Sequence, residues 1–312
     1  MTHRALYIRK QWGGLLFIVL LLSIPMMAVA MTSTNYGITW DSINIGGVDV
    51  STSTNYLLRD TIGEHAIGVS TSTNYQISAG YRVGESGAPR LSLQIGTQQN
   101  AIQSVWTAFS SAGRTVTVTT STLFSAGDFI AVIENQGFAQ IVAVGKVTSV
   151  VGQVITVDAW DGAPGSLSAT PSGGDDFVYR LNGSTASLGM QSIVTENTAV
   201  TVTDVVSNAS NGYTVSVQGT DYLRSGANIM QSVSDGAVTV GSEEYGIQSV
   251  GTHAFGSGTD VAIPVVTTQT VQQSSTSASD DRVAVIYKLA VSPSTPTGNY
   301  SQQVVYRLTG NF

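Results

Sequence analysis

Apolar and polar residues alternate in short runs along most of this chain, and the period is two. Thr115-Val116-Thr117-Val118, Phe129-Ile130-Ala131-Val132-Ile133, Gln140-Ile141-Val142-Ala143-Val144 and Val154-Ile155-Thr156-Val157 each read as a strand. Turn signals at Ser125-Ala126-Gly127-Asp128 and Val151-Gly152-Gln153 separate them. A loop through Asp161-Gly162-Ala163-Pro164-Gly165 and Pro171-Ser172-Gly173-Gly174 ends in a strand at Phe177-Val178-Tyr179-Arg180-Leu181. Residues 91–181 are therefore expected to form a small all-β module, a barrel or a sandwich. Residues 182–312 carry further runs at Ala199-Val200-Thr201-Val202, Tyr213-Thr214-Val215-Ser216-Val217, Val283 to Leu289 and Gln303 to Leu308. Their β-branched content predicts an antiparallel β-sandwich of about seven to nine strands. Asn211-Gly212, just before a strand, predicts a hairpin. The Ser- and Thr-rich stretch 267–281 predicts an exposed loop. Whether 91–181 is a separate domain or an insertion in the sandwich is open at this point.

Before these modules stand three near-copies: Ser33-Thr34-Asn35-Tyr36, Ser53-Thr54-Asn55-Tyr56 and Ser72-Thr73-Asn74-Tyr75. Tyr75, Ile77, Ala79, Tyr81 and Val83 would share one face of an extended strand. Residues 31–83 are thus expected to be β-hairpin repeats, and 84–90 (Gly84-Glu85-Ser86-Gly87-Ala88-Pro89 and Arg90) a linker. Residues 1–30 read as a helical, cleavable secretory signal. Arg4, Arg9 and Lys10 precede the apolar run from Leu15 to Leu22, and Ala28-Val29-Ala30 supplies small residues for cleavage after Ala30. An uncleaved anchor is the competing reading, but the apolar core is short for a span. The expected location is extracellular or on the cell surface.

Charge narrows the partners. The chain has 13 basic and 20 acidic residues, and the leader holds three of the basic ones and no acid, so the mature net charge is −10. Such a chain is expected to bind no nucleic acid, and to meet the membrane only through its signal. The cysteine count is zero, which excludes disulfides, thiolate metal sites and cysteine nucleophiles.

Catalytic motifs do not emerge. His65 and His253 have no serine or paired carboxylate at a familiar spacing, and no G-x-S-x-G elbow, phosphate loop or dinucleotide fingerprint occurs. The chain reads as non-enzymatic. Asp158, Asp161, Asp175 and Asp176 flank the Gly-Pro loop and are candidate calcium ligands, although Asp beside Gly also simply makes turns. No other cofactor is expected. Glu243-Glu244 and Asp280-Asp281 read as solvated surface acids. Trp40, Trp106, Trp160 and Tyr306 are candidate binding residues, because flat apolar rings with a polar edge suit sugars; core packing is the alternative.

Thr295-Pro296-Thr297-Gly298-Asn299-Tyr300 followed by Val304-Val305-Tyr306-Arg307-Leu308 resembles the end of a WxL-type domain. In that family of bacterial surface modules a Pro-x-Gly-x-Tyr turn leads into a final strand bearing Trp-x-Leu. Tyr306 stands at the Trp position, and no tryptophan follows Trp160 to supply the family's first Trp-x-Leu. The Ser-Thr-Asn-Tyr repeats resemble N-terminal segments of uncharacterised exported bacterial proteins. The resemblance implies a sandwich held non-covalently at the cell wall, binding wall polymer, glycan or surface protein. A pilin-like or coat-like fibre subunit is the alternative, a secreted glycan-active enzyme a third. With no sorting motif after Tyr306, covalent sortase anchoring is not expected.

Overall fold

The computed structural model describes residues 90–312 and four short strands of the preceding unit. That unit, 1–88, is separate from the compact unit 89–312. Its strands pair antiparallel as β1 (Ser51–Thr52) with β2 (Leu57–Leu58) and β3 (Gly68–Thr71) with β4 (Gln76–Ala79). The leader, Trp40, His65 and the 84–89 part of the linker lie outside the described residues.

The second unit is all-β, and among the described residues it contains no helix. The strand β5 (Leu91–Thr97) opens it and pairs with β13 (Asn197–Ser207). Between them the chain leaves to build a barrel from β6 (Gln103–Ser110), β7 (Thr115–Val118), β8 (Phe129–Glu134), β9 (Ile141–Val151), β10 (Val154–Val157) and β12 (Phe177–Arg180). A two-residue strand, β11 (Asp161–Gly162), adds to β9. The order β10-β7-β6-β12-β8-β9 closes through β9 pairing with β10, so the barrel has no free edge. Its neck is tied where Thr97 and Gly183 exchange both backbone hydrogen bonds, at 2.9 and 2.8 Å. A Cβ on Gly96 would lie 1.8 Å from the Leu181 carbonyl oxygen, so only glycine lets the strand pass the returning chain. The strand at Leu91 thus belongs to the sandwich sheet, and the barrel is inserted after it.

The sandwich is completed by β14 (Tyr213–Gly219), the small pair β15 (Arg224–Ser225) and β16 (Asn228–Ile229), β17 (Glu244–Val250), β18 (Gln269–Ser274), β19 (Ala278–Ala290) and β20 (Val304–Gly310). One sheet runs β17-β19-β13-β5, the other β18-β14-β20, all antiparallel. Val283, Val285, Tyr287 and Leu289 of β19 face Tyr213, Val215 and Val217 of β14 in the sandwich core. The intervening Ala284 and Ile286, with Val200 and Val202 of β13, face the barrel instead. There they meet Phe129, Ala131 and Ile133 of β8, Val142 and Val144 of β9, and Tyr179 and Leu181. The other face of β8, Ile130 and Val132, points into the barrel around Trp106. Strands covered on both faces read as continuous apolar runs, which is why Phe129 to Ile133 lack strict polar alternation.

Two local expectations are corrected. The segment 267–281 is not an exposed loop: β18 lies within it, and Val271 and Gln272 are fully buried. A polar strand is tolerated because Gln272 is satisfied, accepting from the Thr203 hydroxyl at 2.7 Å and donating to the Tyr213 hydroxyl at 2.7 Å. Asn211-Gly212 does not close a hairpin, since β13 and β14 lie in different sheets. Gly212, at φ +82°, turns the chain between sheets, and a Cβ there would sit 1.9 Å from the Ser274 carbonyl oxygen.

Ile286→Ala should cost about 3 kcal/mol, the usual range for a fully buried aliphatic truncation. Because the residue joins barrel to sandwich, urea unfolding followed by barrel tryptophan fluorescence and by far-ultraviolet dichroism should shift together, in one transition.

Candidate binding site

On one side of the sandwich the edges are β5 and β20; among the described residues β20 pairs only with β14, and β5 has, besides β13, only the bridge of its last residue Thr97 to Gly183. Between them the two sheets stand open, and the inward side chains Leu93, Val304, Tyr306 and Leu308 are only half-buried on the core. The opening is a cavity of about 1320 Å³. Its floor is Tyr245, Tyr287, Leu289 and Met230, its walls Ile95, Thr97 and Tyr306, and its rim the segments 183–191 and 295–303. Ala186 and Leu188 of the first rim segment pack on the core, which fixes that segment in place. Tyr300 anchors the second by donating its hydroxyl to the Pro296 carbonyl at 2.8 Å.

None of the cavity-lining residues is Asp, Glu, Lys, Arg or His. The polar groups are phenols, amides and hydroxyls. Tyr287 and Tyr306 share a hydroxyl-to-hydroxyl hydrogen bond at 2.8 Å. Burial pushes the Tyr287 phenol up to about 12, and raises those of Tyr245 and Tyr306 well above their ordinary value. All three stay neutral at any physiological pH, able to donate and accept. At the rim Met190, Ile193 and Val194 are exposed, Met190 at 94%. The turn carrying them is held by its own hydrogen bonds, Ser192 N to Thr195 Oγ1 at 2.9 Å and Asn197 Nδ2 to the Met190 carbonyl at 2.7 Å.

Of the candidate aromatic residues, Tyr306 lines this cavity. Trp106 does not: it is fully buried in the barrel and donates Nε1 to the Ile133 carbonyl at 2.9 Å, so its ring cannot stack on a ligand. Trp160 is partly buried, with its ring 5.1 Å from that of Phe109. Both serve barrel packing. The signal that distinguishes Tyr306 is its place on the last strand, at the sheet edge. The second rim segment contains the Thr295-Pro296-Thr297-Gly298-Asn299-Tyr300 turn already noted in the sequence, whereas the first, 183–191, carries no motif and was not legible as a site.

The four candidate calcium ligands are not gathered. Among the described residues no three His, Cys, Asp or Glu side chains form a group that could hold a metal. Asp176 instead accepts from the backbone amides of Asn135 at 2.9 Å and Gly173 at 2.8 Å, tying two turns together, and Asp175 lies in the same loop. Asp158 and Asp161 turn toward Arg282 of β19, whose side chain is fully buried. Arg282 grips Asp158 with two hydrogen bonds, 2.9 and 2.5 Å, and lies 3.5 Å from Asp161 and 3.4 Å from Asp204. The acids thus hold an internal cation where barrel meets sandwich.

Three carboxylates around one guanidinium cannot all be equally well compensated. For Asp158, burial alone would raise the carboxyl, but the Arg282 hydrogen bonds and charge outweigh it and the net shift is downward. Asp161 is pushed up to about 6 by burial, against the pull of Arg282 and with help from neighbouring acids. Burial likewise raises Asp204. Next to Arg282 on β19, Asp281 lies 2.7 Å from Nδ1 of the half-exposed His253, and the same carboxylate oxygen accepts the Tyr213 hydroxyl. Asp281 is therefore a hydrogen-bond acceptor for Tyr213 with His253 close by, while Asp280 accepts from the Ser279 hydroxyl. Glu244 accepts from the Thr239 amide at 2.7 Å.

The chain matches no family model, no curated protein and no solved structure.

Asp161 gives a signed pH dependence. Its folded value of about 6 exceeds the ordinary 3.8, so the folded state holds the extra proton between them, and this contribution to stability falls as pH rises through that window. Asp158, shifted down, contributes in the opposite sense, its stabilisation being lost as pH falls below 3.8. Urea midpoints measured from pH 3 to 8 should therefore show Asp161→Asn gaining relative to wild type as pH rises from about 4 to 6. A constant difference across the range would refute the assignment.

Proposed function

We propose that this is an exported, non-enzymatic binding protein of the bacterial cell surface, and that the tyrosine-lined cavity between β5 and β20 holds a segment of a neutral, hydroxyl-rich wall polymer or glycan. The observation that carries this reading is the chemistry of the cavity: large, free of ionisable acids and bases, and provided with neutral phenols and amides. A charged ligand would leave water for a site offering no counter-charge, which costs several kcal/mol. A hydroxylated neutral chain exchanges its water hydrogen bonds for those of Tyr287, Tyr306, Gln302 and Asn299, while its apolar faces cover Met190 and Leu289. The volume exceeds the roughly 300–1,000 Å³ of small-molecule sites and suits several units of a polymer. Mechanism here means contact: the double-layered scaffold holds the cavity walls while the two rim segments present the contacts. The N-terminal basic and apolar pattern of Arg4 to Ala30 supports the compartment.

A second reading, a fibre subunit, draws on the same edges. Among the described residues β20 is a free edge of seven residues whose outer face exposes Val305, and such edges accept a strand from another molecule.

Co-sedimentation with purified cell walls tests the proposal. Wild-type protein should sediment with the walls in both low and high salt, since no charge is involved. Tyr306→Phe, which keeps the ring and removes the hydroxyl, should weaken retention about fivefold or more, as one buried hydrogen bond is worth ~1 kcal/mol. Retention that disappears in high salt, or that ignores Tyr306→Phe, would refute the site. Concentration-dependent filaments without wall binding would favour the fibre.

A further inference from the structure

The barrel-facing side of β19 carries a second buried cation. Lys288 Nζ lies 2.8 Å from Asp260 Oδ1, and the two side chains are 3% and 5% exposed. Asp260 is fixed from its other oxygen, Oδ2 accepting the Val238 amide at 2.8 Å, while no donor is aligned on Oδ1 by hydrogen-bond geometry. The next amide, Thr239 N, binds Glu244 at 2.7 Å, so two consecutive backbone amides hold the two acids. In the strand pairing Glu244 stands opposite Ala290 and Gly246 opposite Lys288, which makes Glu244 the diagonal neighbour of Lys288 on the same face. Val233, Val238, Ala290 and Phe138 cluster beside them and keep water out.

Lys288 Nζ and the Asp260 carboxyl are held against each other with almost no access to solvent. Proximity then replaces the encounter step. We propose that Lys288 and Asp260 join in an intramolecular isopeptide bond, with Glu244 relaying protons. One proton moves from Lys288 Nζ to Asp260, giving amine and carboxylic acid. The Nζ lone pair adds to Asp260 Cγ, forming the N–C bond. Glu244 takes a second proton from nitrogen and delivers it to the departing carboxyl oxygen, the C–O bond breaks, and one water leaves. Nothing is oxidised or reduced, and no co-reactant is consumed. The product ties the segment between β17 and β18 to the strand at the middle of the molecule.

The test is intact mass and tryptic mapping of the full chain, purified folded and then denatured. The bond predicts a mass lower by one water. It also predicts peptides 225–282 and 283–307 recovered as a single branched species, because acylated Lys288 resists trypsin. Lys288→Arg, which keeps the charge but cannot form this amide, should restore the full mass. Glu244→Gln should leave Lys288 and Asp260 in place and the chain largely unlinked. The proposal is overturned if folded wild-type protein, checked by its β-type dichroism, shows the full mass and cleavage after Lys288, or if Lys288→Arg still lacks one water. Glu244→Gln protein that links as completely as wild type would overturn the relay role of Glu244.

Discussion

The central strands β13 and β19 of the sheet β17-β19-β13-β5 are covered on both faces, and the rest of the molecule is arranged around that burial. One side of β13 and β19 forms the sandwich core, the other the seam with the barrel. A seam placed in the middle of the molecule forces every polar group in it to find an internal partner. This accounts for the fully buried Arg282 among Asp158, Asp161 and Asp204, for Lys288 against Asp260, and for Gln98 Oε1 receiving the Val200 amide at 3.0 Å. The apolar stretch between the two cations, Ala284 and Ile286 on β19, then packs without water. Burying charge seldom adds net stability, but it fixes register, since a shift of β19 by one residue would bring both cations to the opposite face.

The same arrangement leaves one flank of the sandwich unfinished. Four strands face three, and the chain spends residues 98–182 on the barrel instead of on a further strand beside β5 or β20. The result is a cavity whose walls are core residues and whose polar groups are neutral. Tyrosine suits that position: the ring belongs to the core while the hydroxyl reaches the opening. The reading of the protein as a surface binder of neutral polymer rests on this chemistry, together with the export pattern at the N-terminus.

Much of the fold was legible. Period-two runs located β7, β8, β10, β12, β14 and β20 within a residue or two, and the C-terminal half of β19, because strands with at least one covered face must place apolar side chains at alternate positions. What escaped were features that depend on distant partners. β18 is polar, and only Thr203 and Tyr213, far away in sequence, explain why Gln272 is buried. Leu91 to Thr97 read as part of the middle module because sequence order says nothing of pairing across a barrel-sized insertion. The aspartates at 158 and 161 were recognised as a cluster, yet their partner Arg282 lies more than a hundred residues on and no local pattern announces it. Tyr306 and the 295–300 turn before it stood out in the sequence; the other rim segment, 183–191, carries no signature until the fold brings it to the same opening.

The claim that the cavity between β5 and β20 is the binding surface is tested most directly by amide hydrogen exchange of the protein with and without purified neutral wall glycan. Slower exchange confined to residues 183–191, 295–303 and the β20 strand is the predicted result. Unchanged exchange in those segments, with protection appearing on the barrel instead, would contradict the account.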